Sequence, residues 1–122
     1  MGKTILIVDD SATIRQVVGM TLKGAGYEVM EASGGKDALK KLDGKKINLI
    51  ISDVNMPNMD GITFVKEAKK LASYKFTPII MLTTESQDSK KQEGQAAGAK
   101  AWVVKPFQPE QMLAAVAKLI MP

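Results

Sequence analysis

"LIISDVNMPNMDG", residues 49–61, decides the fold. Leu49, Ile50 and Ile51 run through Ser52 into Asp53, and then Asn55, Pro57, Asn58 and Gly61 break the chain. A continuous apolar run, unlike an alternating one, suits a strand covered on both faces, as in a parallel sheet. A buried strand that ends on a carboxylate needs a reason, because an isolated buried charge is costly.

Three other stretches share this character: "TILIV" (4–8), "PIIML" (78–82) and "AWVV" (101–104), beside "NLIIS" (48–52) itself. "YEVMEA" (27–32) is more polar and reads as an edge strand. Between the strands lie helical patterns. Ile14, Val17, Val18, Thr21, Leu22 and Ala25 follow helical spacing, and Gly26 supplies a stop. Ala38, Leu39 and Leu42 mark a second helix, and Ile62, Val65, Ala68 and Leu71 a third. Met112, Ala115, Val116 and Leu119 mark the last, with Pro109 in its first turn. Residues 86–99 are the poorest helix: their apolar stripe is only alanines, and Gly94 sits inside it. Strand and helix alternating five times predict an α/β, flavodoxin-like doubly wound fold. Its five parallel strands would run in the order 2-1-3-4-5. Residues 1–122 read as one domain, with no linker or repeat.

Composition narrows the chemistry. Hydrophobic residues make up 45% of the 122 and charged residues 25%, an ordinary globular balance. No apolar run approaches the roughly 20 residues of a membrane helix, and the apolar stretch of "MGKTILIVDD" is too short for a signal peptide, so a cytoplasmic protein is expected. The chain has no Cys and no His, which removes disulfides, thiolate nucleophiles and imidazole bases together. Net charge is +4, but Arg15 is the single Arg. The Lys-rich stretches "KKLDGKK" (40–46) and "KEAKK" (66–70) lack interleaved Arg and aromatics. They read as solvated helix faces, with neither nucleic acid nor membrane as partner.

The polar residues fall where the strands end. Asp9 and Asp10 follow the first strand, Asp53 the third, Thr83 and Thr84 the fourth, Lys105 the fifth. In an open α/β sheet, ligands bind outside the carboxyl ends of the strands, where the strand order reverses. Three carboxylates gathered there repel, at roughly 4 kcal/mol per pair at 4 Å and an effective dielectric of 20. Lys105 offsets one charge, and a divalent cation offsets two more. Oxygen-only ligands select Mg²⁺, with Mn²⁺ as a substitute. Asp53 could then attack phosphorus and form an aspartyl phosphate, with Mg²⁺ and Lys105 neutralising the phosphoryl oxygens and the Thr83 hydroxyl donating to them. Each piece also has a plain structural reading. A single Asp after a strand is more often a turn former or helix cap, and "DD" before "SATI" favours a helix start. The joint pattern is more specific than any part of it.

At these residues the chain resembles the receiver domains of two-component response regulators, above all the stand-alone, CheY-like regulators of chemotaxis. The resemblance runs through "ILIVDDS", "LIISDVNMPNMDG", "IIMLTTE" and "GAKAWVVKPF" to a terminal helix. It implies Asp53 as phosphoacceptor, and Asp10, Asp53 and the backbone carbonyl of Asn55 as Mg²⁺ ligands. Asp9 becomes the outer acid acting through water, and Lys105 pairs with phosphate, followed by a cis bond to Pro106. It further implies Thr83 as switch hydroxyl, Gly61 at the turn after the loop, and Asn55 and Glu85 as residues that set phosphoryl lifetime. Trp102 holds the position of a switch aromatic that is commonly Tyr or Phe, and Thr84 is bulkier than the small residue often found beside the switch. The partners implied are a chemotaxis-type histidine kinase as donor, a flagellar motor switch protein or a relay partner as target, and a phosphatase. The protein is expected to be a monomer and not an enzyme.

Two other classes share parts of this pattern. A Mg²⁺-dependent phosphohydrolase with an Asp nucleophile places a second Asp two residues on, where this chain has Asn55. A nucleotide-binding module needs more than "GGKDA" (34–38), which lacks the Ser or Thr and the earlier Gly of a phosphate loop. Within signalling, a phosphorelay or phosphate-sink receiver that binds no motor stands as the alternative.

Overall fold

The branched and aliphatic runs form β1 (Thr4–Val8), β2 (Glu28–Ala32), β3 (Leu49–Asp53), β4 (Ile79–Thr83) and β5 (Ala101–Val104). This computed structural model describes residues 3–83, 88–105 and 108–120. The helices are α1 (Ala12–Gly24), α2 (Gly35–Lys41), α3 (Gly61–Lys70), α4 (Asp88–Ala97) and α5 (Pro109–Leu119), with a short 3₁₀ turn at Ala72–Tyr74. The strands form one parallel sheet in the order β2-β1-β3-β4-β5, as expected, with the polar β2 at an edge.

Alternate residues of each strand feed opposite faces, so the continuous apolar runs fill two cores. Leu6, Val8, Ile50, Ile79 and Met81 meet Ala38 and Leu42 of the α2 region and Phe64, Val65 and Ala68 of α3. Ile5, Ile7, Leu49, Ile51, Ile80 and Leu82 meet Val18 and Leu22 of α1 and Met112 and Val116 of α5. Among the described residues, no helix is long and apolar enough to cross a membrane.

The helix starts follow from local chemistry. The Ser11 hydroxyl accepts from the Ile14 N–H at 3.3 Å and begins α1. The Asp60 carboxylate accepts from the Thr63 N–H at 2.7 Å and begins α3. Pro109 stands in the first turn of α5, where a missing N–H costs nothing. After α1, Gly26 adopts φ +96°, a left-handed conformation that favours glycine.

Two strands sit one residue later than the apolar runs suggest. β3 begins at Leu49, and Asn48 before it is tied to Thr4 twice, its N–H donating to the Thr4 carbonyl at 2.8 Å and its side-chain oxygen accepting from the Thr4 N–H at 2.9 Å. β4 begins at Ile79 because Pro78 has no N–H to give and offers only its carbonyl, to Ile50. Asp53 is therefore the last residue of β3, in register with Leu82.

Candidate functional site

β1 and β3 are neighbours at the centre of the sheet, at the reversal of strand order, and their carboxyl ends carry acids. Asp9 continues the β1 ladder through its N–H to Ala32 O (3.1 Å), and its side chain is buried. Asp53 ends β3 and is 6% exposed. Asp10 lies between Asp9 and the Ser11 cap and is exposed. Oxygens of all three carboxylates lie within 4.8 Å of one another.

Lys105, just past β5, reaches back over the pocket. Its Nζ stands 3.1 Å from Asp9 Oδ2 and 3.4 Å from Asp53 Oδ1. The other Asp9 oxygen accepts from the Ser11 N–H at 2.9 Å. Three carboxylates against one ammonium leave two negative charges uncompensated. An all-oxygen donor set with that excess and an open side at Asp10 fits a hard divalent cation.

Burial pushes the Asp53 carboxyl above the usual carboxylate range, and the Asp9 charge adds to the rise. Lys105 and the backbone N–H of Asn55 pull the other way. Without a cation, ionised Asp53 is thus a strained charge, more basic than an exposed aspartate.

The loop that follows is shaped by close approach. A Cβ on Gly61 would sit 2.0 Å from the Asp53 carbonyl oxygen, so the position demands glycine. The Gly61 N–H donates to Val54 O at 2.7 Å, and Asn58 takes φ +71°. Asn55, two residues beyond Asp53, is exposed.

Of the residues expected from sequence, Asp9, Asp10, Asp53 and Lys105 are brought together, and the Asn55 backbone N–H bonds to the Asp53 carboxylate. Thr83 ends β4 in register with Val104, but its side chain, with Thr84, Glu85 and the bond to Pro106, falls outside the described residues. Trp102 is half-buried on β5, in register with Met81, and packs against the α2–α3 core. One residue was missed. Arg15 of α1 donates from Nη1 to the Asp9 carbonyl at 2.6 Å and from Nε to Glu31 Oε1 at 3.1 Å. Being the single Arg of a Lys-rich chain, four residues past the Ser11 cap, was the available signal.

Comparison with known proteins agrees with this geometry. The model of the response regulator receiver domain family matches residues 5–117. The chain is similar to the chemotaxis protein CheY4 of Vibrio cholerae, with 51% identity and a TM-score of 0.94 over 98% of this chain and 100% of that one. It is 41% identical to the chemotaxis protein CheY1 of Helicobacter pylori over 87% of each chain. It is also 38% identical to the phosphate regulon transcriptional regulatory protein PhoB of Pseudomonas aeruginosa, over 93% of this chain. It spans about half the length of PhoB, 50%. With the strand order, the acid-lined pocket at its reversal and a family match along almost the whole length in accord, the chain belongs to the response regulator receiver domain family.

Proposed function

We propose that this receiver domain accepts a phosphoryl group on Asp53 from the phosphohistidine of a chemotaxis-type histidine kinase, in a Mg²⁺-dependent step. The phosphorylated domain then presents an altered α4–β5–α5 surface to a partner in flagellar motor control. The observation that carries this reading is the Lys105 ammonium held between two buried carboxylates, Asp9 and Asp53, beside the exposed Asp10.

In the transfer, an Asp53 carboxylate oxygen bonds to phosphorus while the P–N bond to the donor imidazole breaks. The bonding pair returns to the ring nitrogen. Asp53 is suited to the attack because burial keeps its carboxylate poorly solvated. Lys105 is placed to follow the charge from the carboxylate to the phosphoryl oxygens. Asp9, Asp10, Asp53 and the Asn55 carbonyl would hold Mg²⁺, which when bound supplies positive charge to the phosphoryl group. Thr83 is assigned the hydroxyl that moves toward phosphate, Trp102 the aromatic that responds beside it, and Asn55 and Glu85 the control of phosphoryl lifetime. A bound phosphoryl group shifts the domain only through its different interaction with two states, and Thr83 is where that difference enters.

The chain is a stoichiometric acceptor in this reading, not an enzyme. Asn55 stands where an Asp-nucleophile phosphohydrolase needs its general acid. The chemotaxis assignment draws on the likeness to CheY4 and CheY1. A cytoplasmic monomer, with a phosphatase to reset it, completes the proposal.

The test is incubation with a small phosphodonor, with and without Mg²⁺, read by intact mass. One phosphoryl adduct is expected with Mg²⁺, none with chelator and none in Asp53→Asn. An adduct that survives Asp53→Asn would defeat the assignment. Capture of a motor switch protein by the phosphorylated form alone separates motor control from a relay or phosphate sink.

A further inference from the structure

We propose that Arg15 is a positioning residue for the cation pocket, acting through the backbone between Asp9 and Asp10; the inference rests on reading that pocket as a Mg²⁺ site. Arg15 Nη1 donates to the Asp9 carbonyl oxygen at 2.6 Å, a short charge-assisted bond. That oxygen and the Asp10 nitrogen belong to one planar peptide unit. Holding the oxygen sets the orientation of the plane, and with it the direction in which Asp10 leaves the strand. Every other polar handle of Asp9 is already in use. Its N–H goes to Ala32, one carboxylate oxygen accepts from the Ser11 N–H and the other faces Lys105. The exposed Asp10 carboxylate is the part of the pocket with the least support of its own, and Arg15 supplies the support from behind.

Arg15 is itself aimed from its other side. Its Nε donates to Glu31 Oε1 at 3.1 Å, and the Lys41 ammonium donates to the Glu31 backbone carbonyl. The planar fork of a guanidinium serves both acceptors at once, which an ammonium cannot do in the same geometry. Glu31 also offsets the Arg15 charge, so the pocket gains orientation without a second uncompensated cation competing with the metal. Stability alone does not account for the arrangement. The Glu31 side chain is 45% exposed, and ion pairs that wet contribute little.

A positioning role and a charge effect predict opposite signs. Removing a cation near the pocket should tighten Mg²⁺ binding if charge is all that matters. Removing a support should weaken it, by about tenfold if Arg15 acts as other residues behind metal ligands do. The experiment is Mg²⁺ titration by calorimetry on the full chain, with Arg15→Ala, Arg15→Lys and Glu31→Gln. Weaker binding is expected in all three, least in Glu31→Gln, and Arg15→Lys should recover only part of the loss although it keeps the charge. The metal-free amide resonance of Asp10 should move in Arg15→Ala. If Arg15→Ala is poorly folded, Arg15→Lys, which keeps the charge, carries the test. Unchanged or tighter binding in the substituted chains overturns the role of Arg15 while leaving the pocket intact. Failure of the unsubstituted chain to bind Mg²⁺ overturns the cation reading itself.

Discussion

α3 and α4 are both ten residues long, yet their described side chains are buried very differently. α3 buries Ile62, Phe64, Val65 and Ala68 and starts on the Asp60 cap. Of the described side chains of α4, Gln92, Glu93, Gln95 and Ala96 are exposed and Ala97 is half-buried. Helical stability in proteins comes mostly from packing an apolar face, so α3 should be held firmly and α4 weakly. The difference matches the division of labour proposed above. α3 closes the loop that follows Asp53 at the end of β3, while α4 belongs to the surface proposed to change when Asp53 is phosphorylated.

The sharpest way to break this contrast is at the first residue of α3. Gly61→Ala puts a Cβ 2.0 Å from a backbone oxygen and 2.9 Å from Met81 Cε. We expect a loss of about 4 kcal/mol in denaturant unfolding, beyond ordinary overpacking. Phe64→Ala should come next, at about 3–4 kcal/mol, because it removes a large, fully buried side chain and leaves a cavity.

Asp53→Asn should move stability the other way, by about 1 kcal/mol at neutral pH in chelator. The sign follows from burial and the Asp9 charge, which raise the carboxyl above its unfolded value. Between the two values the folded chain holds more protons than the unfolded one. The stability tied to this group is therefore full below the unfolded pKa and lost as pH rises through the folded one. Thermal melts across that window should show the gain from Asn shrinking as pH falls. A destabilised Asp53→Asn would mean that the ionised carboxylate is well compensated by Lys105. The smallest effect belongs to Gln92→Gly in α4, about 0.5 kcal/mol from helix propensity alone. A loss comparable to that of Phe64→Ala would abolish the distinction between the two helices.

Much of this was legible before any coordinates. The strands announced themselves because burial on both faces forces continuous apolar runs, and β2 was marked as an edge by Glu28 and Glu31. Asp9, Asp10, Asp53 and Lys105 were legible as a group because parallel topology sends every strand end to one side. Strand starts were less so: the approach to β3 is set by the bonds of Asn48 to Thr4, 44 residues away in sequence. Arg15 escaped notice for a related reason. Its partners are a backbone carbonyl and a residue on another strand, and neither leaves a mark on local spacing. The glycine at position 35 carries no sign that the Met59 side chain lies against it, 2.7 Å from where a Cβ would be.

The bond between Lys105 and Asp9 joins residues 96 positions apart. An emerging polypeptide on the ribosome therefore holds Asp9, Asp10 and Asp53 from residue 53 onward, well before Lys105 is added. Only when Lys105 has cleared the exit tunnel and β5 has docked do Asp9 and Asp53 acquire the ammonium that stands beside both. A truncated product carrying the whole "LIISDVNMPNMDG" stretch would thus lack the ammonium of the pocket, and under the function proposed above it should be a poor phosphoryl acceptor.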